Sequence, residues 1–155
     1  MAETLAKKLS EAKGEPIEFQ DKKVMMSFRI PVKKGQEIQV EFIKYDETYQ
    51  QGFEISIDQK KGFIEVNDQK LISPVFWVNT APRIFSFKCL TKKDEGIINV
   101  WNVWQNIEYK DNIDAWIGNA GLYVEEIEQN TYIFYCSNGL NEVNFSDLVF
   151  KLTVN

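Results

Sequence analysis

Residues 97–105 read I-I-N-V-W-N-V-W-Q, and this run carries large apolar side chains on both faces of a strand. A strand that is apolar on both faces lies inside a protein, covered on both sides, so we predict a central strand here. The run continues to Gly121 as N-I-E-Y-K-D-N-I-D-A-W-I-G-N-A-G, which adds Trp116, several amides and several carboxylates. We predict a long polar loop over residues 106–119.

Shorter runs with a period of two lie on both sides of this strand. Residues 24–30 and 38–42 form a hairpin signal around the turn K-K-G, and further strands are predicted at 84–90, 122–127, 131–136 and 145–154. Turn signals recur roughly every 8 to 12 residues, the spacing typical of a sandwich or barrel. We therefore predict an all-β protein, an antiparallel two-sheet β-sandwich of the jelly-roll or Greek-key type. A closed barrel is the alternative.

The N-terminal residues have a different period. Leu5 and Leu9 are separated by lysines and glutamates over residues 4–13, and Gly14 follows, which predicts a short amphipathic helix. We divide the chain into a helix and lead-in at residues 1–20 and a single β-sandwich domain at residues 21–155.

Composition limits the classes of partner. The chain of 155 residues has a formal charge of −5 and a pI near 4.9, which argues against binding nucleic acid or an anionic membrane surface. Residues 94–155 carry −8, while residues 1–93 carry +3. The acidic part could attract a cation or a basic partner, or it could simply solvate the loops.

The charged N-terminus lacks the apolar stretch of a signal peptide, so we expect a cytoplasmic protein, with non-classical export as the alternative.

Catalysis is not expected. The chain contains no histidine, which excludes a histidine-based triad or dyad. Cys89 and Cys136 sit in aromatic strand-like runs, as buried free thiols do, and a disulfide between neighbouring strands is the alternative. A glycosidase could work with two carboxylates alone, but no spacing selects a pair. The carboxylates considered are Asp114, Glu125, Glu126 and Asp147.

The tryptophans suggest a binding role. An exposed indole stacks on the apolar face of a sugar ring, while amides and carboxylates bond the hydroxyls. Trp101 and Trp104 lie on opposite faces of the central strand, and we expect Trp101 in the core. Trp116 lies in a polar loop with Asp114 and Asn119, so it is the aromatic that we expect at the surface. The predicted ligand-binding residues are Trp104, Asp114, Trp116 and Asn119.

A second cluster of oxygen-bearing side chains precedes the last strand, in S-N-G-L-N-E-V-N-F-S-D at residues 137–147. A hard cation such as calcium takes six to eight oxygen ligands, which closely spaced amides and carboxylates in a loop can supply. The predicted calcium ligands are Asn138, Glu142, Asn144 and Asp147. The alternative is an ordinary strand in which Asp147 ties down a turn.

This C-terminal segment resembles the microbial calcium-dependent lectin sandwiches, whose last strand follows a loop of the form D-x-D-[YF]-N-D-x-[VI]. The first hairpin, residues 28–42, is similar to that of the same lectins. The resemblance implies a calcium ion to which sugar hydroxyls bind directly. In this chain Glu142 and Asn144 replace two aspartates of the motif, and Ser146 replaces its asparagine. The matching residues are Glu142, Asn144, Phe145, Ser146, Asp147 and Val149.

Two hypotheses follow. In the first, the protein is a non-catalytic module that binds a glycan or another small polar ligand through the loops at 111–119 and 138–147, with calcium as a candidate cofactor. In the second, it is a protein-interaction or assembly domain that contacts a partner or a second copy of itself through a strand edge or the Leu5/Leu9 helix.

Overall fold

The computed structural model describes residues 3–105 and 113–155, and these residues form mostly β-strands in three antiparallel sheets with one short helix. The predicted all-β class is confirmed. The helix is α1 (Leu5–Glu11), and a 3-10 turn occupies Asp58–Lys60. The strands are β1 (Ile17–Phe19), β2 (Lys22–Val24), β3 (Phe28–Lys33), β4 (Gln36–Tyr45), β5 (Gln50–Ile57), β6 (Phe63–Val66), β7 (Gln69–Leu71), β8 (Val75–Trp77), β9 (Ile84–Leu90), β10 (Glu95–Gln105), β11 (Gly121–Glu128), β12 (Thr131–Ser137) and β13 (Leu148–Val154).

The strands pair in three sheets. The first has the order β3-β10-β5-β8, the second β11-β12-β13-β4-β9-β6-β7, and β1 pairs with β2 alone. β10 pairs with β3 through its first half, 95–100, and with β5 through 98–105, so it is an interior strand of its sheet, as predicted. β3 continues through Pro31, where the sequence predicts the preceding strand to end. Proline is tolerated there because β3 is an edge strand.

The four-stranded and seven-stranded sheets share one hydrophobic core, which gives a sandwich-like arrangement. Phe53 of the first sheet stacks on Phe150 of the second with ring centroids 4.4 Å apart, and Phe134 stacks on the same ring at 4.6 Å. Offset aromatic pairs of this kind add to the free energy of burial. Cys89 and Cys136 lie in this core as free thiols, as predicted.

Helix α1 packs onto the body of the protein. Thr4 caps its N-terminus by accepting a hydrogen bond from the Lys7 backbone N–H. Leu5 and Leu9 are buried, and the backbone N–H of Ala6 donates to the carbonyl oxygen of Gly118 at 2.9 Å. The Leu5/Leu9 stripe therefore contacts this chain itself. Among the described residues, no helix is long and apolar enough to cross a membrane.

The edges of the two large sheets are short or protected. β7 and β8 have three residues each, and β3 contains Pro31. The outer strand β11 carries Glu125, Glu126 and Glu128 along the part that extends beyond its bridge between Leu122 and Met25. Short strands, proline and charge all oppose pairing of a sheet edge with another chain.

Candidate functional site

The structure brings the two predicted binding loops together, over the residues 113–120 and 138–147 that it describes. The amide Nδ2 of Asn119 donates to the carbonyl oxygen of Asn141 at 2.8 Å. Gly118 and Gly139 meet backbone to backbone, and a Cβ atom on either would strike the other loop. Asp111 and the rest of residues 106–112, which belong to the predicted long loop, lie outside the described residues.

Asn119, predicted to contact ligand, connects helix α1 to the second loop. Its Oδ1 accepts a hydrogen bond from the backbone N–H of Leu5 at 3.3 Å, and its Nδ2 bonds the other loop. Asp114 extends the four-stranded sheet, since its backbone exchanges two hydrogen bonds with Trp104, at 2.9 and 3.1 Å. Asn119 thus has a structural role, while Asp114 is only half-buried.

Trp104, also predicted to contact ligand, has no solvent exposure. It lies on the inner face of β10, with Ile98 and Val100, and its ring packs against Gly139. Its indole is therefore part of the interior and cannot stack on an external ring, which corrects that assignment. Within residues 3–105 and 113–155 its Nε1 has no hydrogen-bond partner.

The predicted calcium ligands are mostly engaged with the backbone of their own loop. Asp147 Oδ2 accepts the backbone N–H of Asn138 at 3.0 Å, and Asn138 Oδ1 accepts that of Leu140 at 3.1 Å. Asn144 Oδ1 accepts the backbone N–H of Ser146 at 2.9 Å, whereas Glu142 is exposed. These bonds match the alternative in which Asp147 ties down a turn.

Asp147 is the most perturbed carboxyl of this loop. It is 5% exposed, and burial raises the pKa of its carboxyl above the ordinary value; the nearby Asp46 adds to the rise, and the hydrogen bond from Asn138 opposes it. In the described part of the chain, no group of three or more Cys, Asp or Glu side chains is arranged to hold a metal ion. Calcium binding by amide and carboxylate oxygens together stays a prediction.

A face that the sequence analysis did not single out lies on the outside of the four-stranded sheet. Because Ile98 and Val100 point into the core, the odd-numbered residues of β10 point outward. Trp101 is on this outer face, yet it is only 6% exposed. Trp116 covers it, with ring centroids 5.1 Å apart and planes at 33°.

Trp116 presents the exposed half of this aromatic pair. It is 43% exposed, and its Nε1–H donates to the carbonyl oxygen of Met26 at 3.0 Å. Its backbone φ is 59°, a left-handed conformation that a bulky residue seldom adopts. A hydrogen bond and a stacking contact therefore hold a large aromatic ring at the surface, as predicted for Trp116.

A row of polar residues crosses the same outer face beside the tryptophan pair. Asn99 of β10 is the register partner of Arg29 on β3 and of Ser56 on β5, and it lies two residues before Trp101. That separation along a strand is about 7 Å. Asn99 Oδ1 is shielded from solvent and has no hydrogen-bond partner among the described residues. The row thus offers an unused acceptor next to the aromatic pair.

Arg29, Asn99 and Ser56 line a surface groove of about 600 Å³. One wall is the turn Asp58–Lys60, in which all three residues have positive φ, from 50 to 72°. Asp58 fastens this turn to the sheet, because its Oδ1 accepts the backbone N–H of Ile97 at 2.9 Å. Local strain of this kind persists only where surrounding contacts enforce it, and it is common at binding sites.

A second aromatic cluster lies on the outer face of the seven-stranded sheet. Tyr123 and Tyr135 stack with centroids 4.7 Å apart, Phe145 meets Tyr123 edge-on at 5.0 Å, and the Lys22 ammonium lies 5.0 Å from the Tyr123 ring centroid. Burial, and then the nearby Glu125, raise the pKa of the Tyr135 hydroxyl, so both tyrosines stay neutral near pH 7. Of this cluster, only Phe145 belongs to the segment that resembles the lectins.

The chain was compared with protein families, curated proteins and solved structures. No family model, no curated protein and no solved structure matches it.

Proposed function

We propose that the protein is a non-catalytic module that binds carbohydrate on the outer face of its four-stranded sheet. The observation that carries the proposal is the adjacency of the Trp101–Trp116 pair to the polar row of Arg29, Asn99 and Ser56. The absence of histidine from the sequence supports a role without a histidine-based triad or dyad.

The two parts of this face suit the two kinds of surface on a sugar. The exposed ring of Trp116 offers an apolar face to the C–H groups of a pyranose, and binding there buries area with little loss of side-chain freedom. Asn99 lines the groove, and a rotation of its side-chain amide would let Oδ1, which is shielded and unbonded in the described part of the chain, accept a hydrogen bond from a sugar hydroxyl. Because Asn99 Oδ1 lacks a hydrogen-bond donor, it favours a ligand over water only if the ligand supplies that donor.

The two predicted loops lie at the side of this face, and the strands of the four-stranded sheet form the face itself. Trp116 belongs to the first loop, and that loop is fixed to the second through Asn119. We infer a sandwich of the jelly-roll or Greek-key type as the scaffold, supported by the core shared between the two sheets and by the pairing of β4 with the last strand, β13. Calcium assistance through residues 138–147 is a separate part of the proposal with its own test.

The experiment is a glycan panel probed with the full chain, followed by calorimetry on each glycan bound. Trp116→Ala and Asn99→Ala are expected to abolish or strongly weaken binding. Tyr123→Ala is the matched control, because it removes an aromatic ring from the other large sheet and leaves this face unchanged. Binding that is lost in Tyr123→Ala and kept in Trp116→Ala would move the site to the seven-stranded sheet.

A protein-interaction role is the second candidate, and one observation favours it. The Tyr123, Tyr135 and Phe145 cluster is only partly buried, and Ile43 and Ile84 on the same sheet are 47% and 46% exposed. Grouped apolar surface on a soluble protein marks contact sites. The protected sheet edges and the docked Leu5/Leu9 helix argue against the two contact routes considered from the sequence.

Sedimentation velocity over a range of concentrations tests this second role for a second copy of the chain. Self-association that Tyr135→Ala abolishes and Trp116→Ala leaves unchanged would support it. A single monomeric species at all concentrations would remove self-assembly through this cluster.

A further inference from the structure

The groove beside the tryptophan pair has a charge opposite to that of the whole protein. The chain has a net charge of −5, yet the groove is lined by more cationic than anionic side chains. The cations are Arg29, Lys61, Lys92 and Lys93, and the carboxylates are Asp58 and Glu95. A local excess of positive charge on an acidic protein attracts a negatively charged ligand to this face and not to the rest of the surface.

The cations of the groove outnumber its carboxylates and form no ion pairs with the residues that the structure describes. In the part of the chain that the structure describes, ion pairs join Lys7 to Glu3 and link both Arg83 and Lys151 to Glu41, so none includes a cation of the groove. Asp58 directs its carboxylate to the backbone N–H groups of Ile97 and Lys92. That carboxylate is held by the backbone and forms no ion pair among the described residues, and the groove carries four cations against two carboxylates.

Arg29 is the cation best placed to act together with the aromatic pair. It is exposed, and it is the register partner of Asn99, two residues from Trp101 on the same face of β10. A guanidinium presents a planar fork of donors that matches a carboxylate or a sulfate with two parallel hydrogen bonds. The donor fork of Arg29 thus complements an anionic group, and the Asn99 amide, once turned outward, would accept from a hydroxyl on the same ligand.

We propose that the glycan bound by this face is an acidic one, whose carboxylate or sulfate lies in the groove against Arg29 while a sugar ring stacks on Trp116. This inference rests on the proposed carbohydrate-binding function and adds the chemical class of the ligand. Lys61, Lys92 and Lys93 form the rim that attracts the anion, and Asn99 accepts from a hydroxyl of the same or the next sugar.

The test is a panel of neutral and acidic glycans that includes carboxyl-reduced and desulfated versions of the acidic ones. The variants are Arg29→Gln, Trp116→Ala and Lys44→Gln, of which Lys44→Gln makes the same change in net charge at an exposed position on β4. We expect binding to acidic glycans only. Arg29→Gln should weaken it about tenfold or more, because a hydrogen bond to a charged group is lost, and Lys44→Gln should have little effect. The carboxyl-reduced and desulfated glycans identify which anion is bound.

The outcomes separate the two proposals. Equal binding of neutral and acidic glycans, lost in Trp116→Ala and unchanged in Arg29→Gln, would overturn the acidic ligand and leave carbohydrate binding in place. Binding to no glycan would remove both proposals. Equal binding of a single-stranded oligonucleotide that Arg29→Gln abolishes would assign the groove to nucleic acid and overturn the glycan.

Discussion

The indole ring of Trp116 lies over that of Trp101, with centroids 5.1 Å apart. Trp101 points away from the core on the outer face of β10 and is only 6% exposed. The fold thus covers one tryptophan with another and leaves the second at the surface beside the polar row. A ligand that stacks on Trp116 therefore meets a ring that is already supported from behind.

This arrangement predicts how far Trp116 contributes to stability. Trp116→Ala removes the stacking contact and the hydrogen bond to Met26, so we expect a loss of about 1–3 kcal/mol in the free energy of unfolding. Trp116→Phe keeps an aromatic ring and should lose only about 1 kcal/mol. Urea unfolding followed by far-ultraviolet circular dichroism measures both. Equal stability of the alanine variant and the wild type would show that the contact does not hold in solution.

Many of the strands could be predicted because apolar and polar residues alternate along them in the sequence. The predicted strand at 84–90 coincides with β9, and the predictions at 122–127 and 131–136 agree with β11 and β12 to within one residue at each end. The predicted hairpin of residues 24–30 and 38–42 was wrong, because β3 and β4 lie in different sheets and do not pair. The prediction was also wrong at Pro31, which it took as the end of a strand, since a proline is tolerated at an edge and the sequence does not reveal which strand is an edge.

The site could be predicted only in part. The alternation of side chains along a strand shows which residues share a face, but it does not show which face meets the other sheet. In β10 the even positions include Trp104 and the odd positions include Trp101, so both faces carry an indole. Trp104 is completely buried, and its ring packs against Gly139 of the second loop. Arg29 and Ser56 are 27 residues apart in the chain and join Asn99 only through register, which no local motif encodes. The exposure of Trp116 was predicted from its polar surroundings.

The close approach of the two loops makes Gly139 sensitive to substitution. A Cβ atom there would strike the carbonyl oxygen of Ile117 and come within 2.7 Å of the Trp104 ring, and neither can move easily. We expect Gly139→Ala to lower the free energy of unfolding by about 3 kcal/mol. Gly35→Ala is the control, since its Cβ would meet no atom within 4 Å and only the φ of 81° opposes it. That variant should lose about 1–2 kcal/mol. A milder effect at Gly139 than at Gly35, measured by urea unfolding, would contradict the loop contact.

The two cysteines are expected to be unreactive in the folded protein. Both are fully buried, and burial raises the pKa of the Cys89 thiol to about 12 and that of Cys136 well above its ordinary value. The thiolate is the reactive form, so an aromatic disulfide reagent should label neither cysteine at neutral pH and both in denaturant. Rapid labelling of one thiol in the native protein would contradict this placement.

Calcium binding at residues 138–147 can be tested without disturbing the fold. Three of the four candidate side chains use an oxygen to accept a backbone N–H, so an ion would have to share those oxygens, and we expect weak binding at most. Thermal unfolding with calcium or a chelator measures it, because a ligand at about a hundredfold excess over its Kd adds about 2.7 kcal/mol. Glu142 is exposed, and Glu142→Gln removes only a candidate ligand. A large rise in Tm that this variant abolishes would establish a strong site.

Asp147 should make the stability of the protein fall as the pH rises above about 4. Burial raises the pKa of its carboxyl in the folded state, so the folded protein holds this proton more tightly than the unfolded chain. The contribution of Asp147 is therefore most favourable below the unfolded pKa and is lost as the pH rises through the folded pKa. Asp147→Asn resembles the protonated side chain and keeps an oxygen to accept the N–H of Asn138.

We therefore compare the unfolding free energy of Asp147→Asn with that of the wild type at two pH values. The variant minus wild-type difference should be larger at pH 7 than at pH 4, because only the wild-type side chain ionises between them. Other carboxylates cancel in this difference when they are unaffected by the substitution. Urea unfolding of both proteins at the two pH values measures it, and Glu142→Gln, at an exposed position, controls for the change in net charge. A difference in unfolding free energy that is the same at both pH values would show that the carboxyl of Asp147 is as well solvated in the folded protein as in the unfolded chain.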